Sequence, residues 1–78
     1  MPTTQLTITM VETKSSNIHS IGWDGKESLY VRFRDGMRLY RFYPAPEIVW
    51  LGLQQAKSKG TFFQSQIKNF FKFEVVKE

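Results

Sequence analysis

Two Asp-Gly pairs, each set between alternating apolar and polar residues, constrain the fold of this chain more than any other feature. Asp24-Gly25 and Asp35-Gly36 supply the positive φ angles that short hairpin turns need. Between the pairs, Leu29, Val31 and Phe33 occupy every second position, which is typical of a half-buried strand. The sequence therefore predicts a three-stranded antiparallel meander.

The third strand of this meander, M-R-L-Y-R-F-Y, is apolar or aromatic on both faces. This pattern predicts a central strand, or a strand whose second face receives a helix. Tyr40 and Phe42 share one face with Arg38, and their first interpretation is as core residues. If Tyr30 or Tyr40 were exposed, each could instead stack on a nucleic-acid base.

Two helices are predicted after Pro44-Ala45-Pro46 ends the sheet. Pro46 suits a first helical position, and Val49, Leu53 and Ala56 then recur at helical spacing, with Ile48 and Trp50 widening the apolar stripe. Gly60 is expected to end the first helix and Thr61 to cap the second. In the second helix the apolar positions are Phe62, Phe63, Ile67, Phe70 and Phe71.

Both ends of the chain also alternate. The tail F-K-F-E-V-V predicts a short final strand or an extended segment, and Leu6, Ile8 and Met10 predict an edge strand or an arm that orders on a partner. The expected fold is therefore α+β: an antiparallel meander of three or four strands followed by two helices packed on one face. Residues 1–14 form the N-terminal arm or edge strand, and residues 15–78 form a single domain.

The composition disfavours catalysis. The 78 residues include no cysteine, which excludes a thiolate nucleophile, and His19 is the single histidine. The acidic residues are scattered without a metal-ligand spacing. We expect no catalytic residues, no metal and no cofactor. Neither a signal-peptide pattern nor an apolar run of membrane-spanning length is present, so the expected location is the cytoplasm.

Positive charge is concentrated in one segment. The formal net charge is +4, and residues 32–72 hold eight basic side chains against Asp35 and Glu47. Basic residues interleaved with aromatic ones suit a polyanion such as RNA. A solvated basic surface that keeps the domain soluble explains the same charge and stays open as an alternative.

The run A-K-S-K-G-T is compatible with two roles. Its order does not match the G-x-x-x-x-G-K-[ST] motif, so it is not a nucleotide-binding P-loop. It precedes a predicted helix, where free backbone N–H groups favour an anion, and Lys57, Lys59 and Lys68 lie near it in sequence. A cap alone, or a cap with an added phosphate contact, both remain open.

Several of these segments together resemble the KTSC domain, a family found at the C-terminus of some lysyl-tRNA synthetases and as stand-alone proteins. The resemblance covers about residues 15 to 73 and is carried by S-S-N-I-H-S-I-G-W-D, L-Y-V-R-F-R-D-G and A-K-S-K-G-T-F-F-Q-S-Q-I-K. Phe42 stands where the family usually has a second tyrosine, which removes one hydroxyl. The resemblance implies RNA binding, the role usually suggested for the family, and similarity to small accessory proteins of bacteria and phages.

The leading interpretation is a non-catalytic nucleic-acid-binding module, with RNA as the expected ligand. The predicted contact residues are Arg32, Arg34, Arg38, Tyr40, Arg41, Lys57, Lys59, Gly60, Thr61 and Lys68. The alternative is a small interaction or regulatory module that binds an acidic partner protein. A monomer or a weak homodimer formed through an open sheet edge is expected.

Overall fold

A five-stranded antiparallel meander in strand order β1-β2-β3-β4-β5 forms the framework of the computed structural model, which describes residues 8–77. Two helices lie between the fourth and fifth strands in sequence. The elements are β1 (Val11–Glu12), β2 (Ile18–Trp23), β3 (Leu29–Phe33), β4 (Leu39–Tyr43), α1 (Glu47–Gln55), α2 (Lys59–Gln66) and β5 (Lys72–Val75). The α+β class, the meander, the two helices and the short final strand are confirmed.

Both Asp-Gly pairs form the predicted turns. Gly25 has φ of 85° and Gly36 has φ of 74°, values that side-chain-bearing residues rarely adopt. The register pairs Ile21 with Val31 across the first hairpin, and Val31 with Tyr40 across the second. The alternation of apolar residues therefore falls on one face of the sheet.

The core lies between that face and the helices. Val31, Leu53 and Ile67 are completely buried, and Phe42 and Phe63 nearly so. The chain enters α1 through a well-anchored segment, because the N–H of Ala45 donates to the carbonyl of Glu27 at 2.6 Å and Trp23 Nε1 donates to the Ala45 carbonyl at 3.2 Å. The helices are thereby placed over the sheet next to the first turn.

The predicted boundary between the helices was wrong. Gly60 does not end α1 and Thr61 does not cap α2; both lie inside α2, which begins at Lys59. Ser58 is the cap, because its Oγ accepts the N–H of Thr61 at 3.2 Å. At the other junction, Pro46 is the N-cap of α1 and not its first helical residue.

Two apolar side chains were also assigned wrongly to the buried stripes of the helices. Ile48 is 76 % exposed and Phe70 is 67 % exposed, because each lies on the solvent side of its segment. The predicted N-terminal strand differs too: the pairing begins at Val11, and neither Ile8 nor Met10 belongs to a strand. Leu6 lies outside the described residues.

Candidate nucleic-acid interface

An open groove with an aromatic floor lies beside α2 on the helix-bearing face of the sheet. The floor consists of Phe33, Tyr40, Phe42, Phe63 and Phe73, and the groove has a volume of about 780 Å³. We call it the aromatic groove. Phe33 meets Tyr40 edge to face with ring centres 5.4 Å apart, and the rings of Tyr40 and Phe73 lie 5.9 Å apart. These contacts hold the rings at fixed positions.

The floor is only partly accessible. Phe42 and Phe63 are buried, so they support the groove from below, and Tyr40 is half-buried. Phe73 is 59 % exposed and offers the largest ring surface. The prediction that Tyr40 and Phe42 pack in the core is therefore correct for Phe42 and partly correct for Tyr40.

The rim of the aromatic groove is polar, with two basic side chains, one acidic side chain and several uncharged ones. Arg38 and Lys68 supply positive charge and Asp35 a negative charge. Donors and acceptors come from Ser16, Asn17, Gln64 and Asn69. An apolar floor inside a ring of hydrogen-bonding groups suits a flat heteroaromatic ring with an anionic backbone beside it.

A second groove, also of about 780 Å³, lies where the loop between β1 and β2 meets the start of α2. We call it the lysine groove, because Lys14, Lys57 and Lys59 line it, with Glu12 as the acidic member. Gly60 and Thr61 lie in its wall. Ser16, Asn17 and Gln64 line both grooves, so the two form one continuous surface.

The two lysines beside α2 differ in their bonding. Lys59 Nζ donates to the carbonyls of Gln54 at 3.1 Å and Ala56 at 3.0 Å, so this side chain neutralises the carbonyl end of α1. Lys57 is exposed and makes no hydrogen bond or ion pair with residues 8–77. Of the two, Lys57 is therefore the one with its ammonium group available to a ligand.

The start of α2 is partly occupied by the protein itself. The N–H of Thr61 donates to Ser58 Oγ at 3.2 Å, and the Ser58 hydroxyl donates to Thr61 Oγ1 at 2.8 Å. Gly60 lies against the loop between β1 and β2, since a Cβ there would be 3.5 Å from Ser15 Oγ. Gly60 and Thr61 therefore shape the wall of the lysine groove, with one backbone N–H already used in the cap.

Arg34 serves the grooves indirectly. Its Nε donates to the carbonyl of Ser15 at 2.8 Å, and its Nη2 donates to the carbonyl of Thr13 at 2.8 Å. The N–H of Arg34 also donates to the carbonyl of Asn17 at 2.8 Å. Arg34 therefore holds in place the loop between β1 and β2, which lines both grooves.

Arg32 and Arg41 lie on the opposite face of the sheet, because strand positions alternate and both are out of phase with the core residues. Arg41 is engaged within the protein: it contacts Glu74 at 3.1 Å, donates to Ser28 Oγ at 2.8 Å and stacks 4.0 Å from the centre of the Tyr43 ring. The Nη1 of Arg32 donates to the Met37 carbonyl at 2.7 Å. The structure does not bring these two arginines to the grooves.

The opposite face is covered at its centre by the N-terminal segment. A Cβ on Gly22 would lie 2.7 Å from both Ile8 Cγ2 and Met10 Sδ, so this segment crosses the sheet in direct contact with Gly22. Tyr30, the strand partner of Gly22, is only 7 % exposed. Stacking of a base on Tyr30 is therefore ruled out in this conformation.

Sequence reasoning missed three kinds of groove residue. Phe73 was assigned only to an alternating tail, although a large ring on an edge strand is a common surface contact. Lys14 fell at the boundary of the arm and was left out. The amides Asn17 and Gln64 carry no charge, so nothing in the composition pointed to them.

His19 and the acidic residues are the side chains that acid–base or metal chemistry would use. His19 Nδ1 lies 3.1 Å from Ser20 Oγ, on a half-buried side chain in β2. Within residues 8–77, no three His, Asp or Glu side chains come together as metal ligands would. The same residues contain no helix with the length and apolar character that a membrane crossing requires.

A family model and a solved structure both relate this chain to the KTSC domain. The family model described as "KTSC domain" matches residues 14–72. Among solved structures, the crystal structure of a KTSC domain protein from Yersinia pestis is similar, with a TM-score of 0.84 and 30 % sequence identity over 91 % of this chain and 100 % of that one. No curated protein matches the chain.

Proposed function

The chain belongs to the KTSC domain family, and from its joined grooves we propose that it is a non-catalytic module that binds single-stranded nucleic acid, with RNA as the ligand. The observation that carries this proposal is the continuity of the aromatic groove with the lysine groove through Ser16, Asn17 and Gln64. A strand lying along both grooves would meet rings in one and cations in the other.

Charge supports a polyanionic ligand. The two grooves together present five basic side chains, Arg38, Lys68, Lys14, Lys57 and Lys59, against Asp35 and Glu12. Phosphate contacts from such side chains release counterions and give most of the affinity for nucleic acid. Lys57 is more available than Lys59 beside α2, because Lys59 is bonded to α1.

The aromatic groove supports a single strand over a duplex. Phe73 exposes a ring face next to Tyr40, and stacking of one base on such a ring contributes roughly 1 to 3 kcal/mol. Bases in a duplex are already stacked on one another, so they are not free to stack on the ring of Phe73. Arg38 and Lys68 line the same groove and supply positive charge for the backbone phosphates of such a strand.

Fluorescence anisotropy with short single-stranded RNA, single-stranded DNA and duplex probes, each at several salt concentrations, tests the proposal. We expect RNA binding that weakens with salt, and a slope that falls by about 0.7 in Lys57→Ala or Lys68→Ala, the value for one phosphate contact on a single strand. The matched control is Lys26→Ala, which removes an exposed lysine in the turn between β2 and β3, away from both grooves.

A second pair of variants tests the floor. Phe73→Ala should weaken binding by about 5- to 150-fold, the equivalent of one stacked base. Phe70→Ala removes an equally large exposed ring that lines neither groove and should change little. Absence of RNA and DNA affinity at low salt would refute the proposal and favour an acidic protein segment as the occupant of the basic grooves.

A further inference from the structure

The free edge of β5 carries a self-complementary pattern. β5 is the last strand of the sheet, so one of its sides has no neighbouring strand among residues 8–77. All four of its residues, Lys72, Phe73, Glu74 and Val75, are exposed. Phe73 and Val75 expose 59 % and 51 % of their surface, an unusual apolar content for an unprotected edge.

The hydrogen bonds of β5 determine which of its backbone groups face outward. The N–H of Val76 donates to the carbonyl of Leu39 at 2.9 Å, and the register pairs Glu74 with Arg41. Backbone groups of successive strand residues point alternately to the two sides. The N–H and C=O groups of Lys72 and Glu74 therefore face β4, and those of Phe73 and Val75 face the open edge.

From this pattern we infer that two copies of the chain pair through β5, antiparallel, about a two-fold axis at Phe73. In this register the two Phe73 residues exchange both N–H···O=C bonds, as directly opposed hydrogen-bonded residues do. Lys72 of each copy lies opposite Glu74 of the other, on the same face of the joined sheet. Two opposite-charge pairs form in each interface, and such cross-strand pairs are favourable.

Charge repulsion disfavours the two registers in which the two-fold axis is shifted by one residue. An axis at Glu74 sets the two Glu74 carboxylates against each other, and an axis at Lys72 does the same with two ammonium groups. Like charges in directly opposed positions are destabilising. An edge lysine usually discourages strand pairing, but here the next residue on the same face is an acid, so the sequence K-F-E is complementary to itself.

Pairing also has a consequence for the helix-bearing face. The side chain of Phe73 lies on that face, where its ring contacts Tyr40 and Phe42. The two Phe73 rings would adjoin across the axis, and the aromatic grooves of the two copies would become neighbours. The dimer forms without any ligand and does not depend on nucleic-acid binding.

Sedimentation equilibrium of the full chain from micromolar to millimolar concentration measures the association. We expect a concentration-dependent doubling of mass. Lys72→Glu sets two acidic side chains opposite each other in both pairs, and Glu74→Lys sets two basic ones, so each variant alone should dimerise at least tenfold more weakly. Mixing the two variants gives heterodimers in which one pair joins two natural residues and the other joins the two substituted ones. Both pairs are then of opposite charge, and the mixture should dimerise where neither variant does alone.

Cysteine cross-linking tests the register, because the natural chain contains no cysteine. Directly opposed residues have Cα atoms about 5.5 Å apart, within the range of a disulfide. Phe73→Cys should therefore form a disulfide-linked dimer on mild oxidation, and the matched Val75→Cys should not, because Val75 lies opposite residue 71. A wild-type chain that stays monomeric at millimolar concentration would overturn the inference, as would a dimer indifferent to both charge reversals or cross-linked equally by both cysteines.

Discussion

Lys59 Nζ donates a hydrogen bond to the carbonyl oxygen of Ala56 at 3.0 Å, three residues before it in the chain. The bond links the first residue of α2 to the C-terminal end of α1. Unpaired carbonyls and the helix dipole favour a cation at that end. One of the two lysines that flank this junction is thus accounted for by structure alone. Lys57, exposed in the same groove, makes no hydrogen bond or ion pair with residues 8–77, and its proposed role is contact with the ligand.

The first prediction separates these two lysines. Lys59→Ala should lower the free energy of unfolding by about 0.3 to 1 kcal/mol, since a cation at a helix C-terminus contributes that much. Lys57→Ala should leave the stability unchanged and weaken RNA binding. Urea denaturation followed by circular dichroism measures the first effect and anisotropy the second. Equal losses of stability in both variants would contradict the assignment of distinct roles.

The sheet could be predicted because its determinants are local. Asp24-Gly25 and Asp35-Gly36 fix two turns, and the alternation between them fixes which face of β3 is buried. The tail at Lys72–Val75 also alternates; this pattern predicted a short final strand or an extended segment, and the structure has the strand. Its pairing with β4 depends on tertiary contacts, so the local sequence pattern does not predict it.

The helix junction and the site were harder to predict, for two physical reasons. Ser58 and Thr61 are both good cap residues, and the choice fell to Ser58 because α2 begins one turn earlier than the apolar spacing suggested. Arg32 and Arg41 were among the predicted contact residues, although strand alternation sends them to the other face. The register places Arg41 opposite Glu74, and the side-chain contacts show that Arg41 pairs with Glu74 and stacks on Tyr43.

The second prediction concerns Gly22, where the N-terminal segment touches the sheet. Gly22→Ala should cost about 1 kcal/mol, because the added Cβ would lie 2.7 Å from Ile8 Cγ2 and Met10 Sδ. With Ile8→Ala and Met10→Ala already in place, the same change should cost less, because only the backbone oxygen of Thr9, 3.0 Å from the added Cβ, remains of its three nearest contacts. Thermal denaturation of the natural chain, Gly22→Ala, the Ile8→Ala/Met10→Ala variant and the triple variant measures the stability change caused by Gly22→Ala in each background. A constant cost in both backgrounds would show that the contact is unimportant.

The carboxylate of Asp24 makes the free energy of unfolding depend on pH in the acidic range. Burial of its carboxylate raises the pKa, but hydrogen bonds from the backbone N–H groups of Ser28, Lys26 and Glu27 lower it more, so the pKa of Asp24 lies below its ordinary value. The three N–H groups reach Asp24 Oδ1 at 3.0, 2.8 and 3.0 Å respectively. The charged form is therefore the one that the folded turn prefers.

The third prediction follows from that preference. Because the folded pKa is lower than the unfolded value of about 3.9, the contribution of Asp24 is present above that pH and is lost as the pH falls through the folded pKa. Asp24→Asn should therefore be less stable than the natural chain by about 1 kcal/mol near neutral pH, with the difference closing in acid. Urea denaturation over a pH series measures it. A difference that is the same at all pH values would remove the charge from the explanation.

The fourth prediction distinguishes a residue that positions the grooves from one that contacts phosphate. Arg34→Lys keeps the charge but loses the planar fork that reaches the carbonyls of Ser15 and Thr13, so the loop between the grooves should loosen. We expect about 1 kcal/mol less stability and severalfold weaker RNA binding with an unchanged salt slope. Lys57→Ala is the matched comparison, since it should lower the slope by about 0.7 without loss of stability. An unchanged stability in Arg34→Lys would contradict the positioning role, and a salt slope lowered by Arg34→Ala as by Lys57→Ala would place Arg34 among the phosphate contacts.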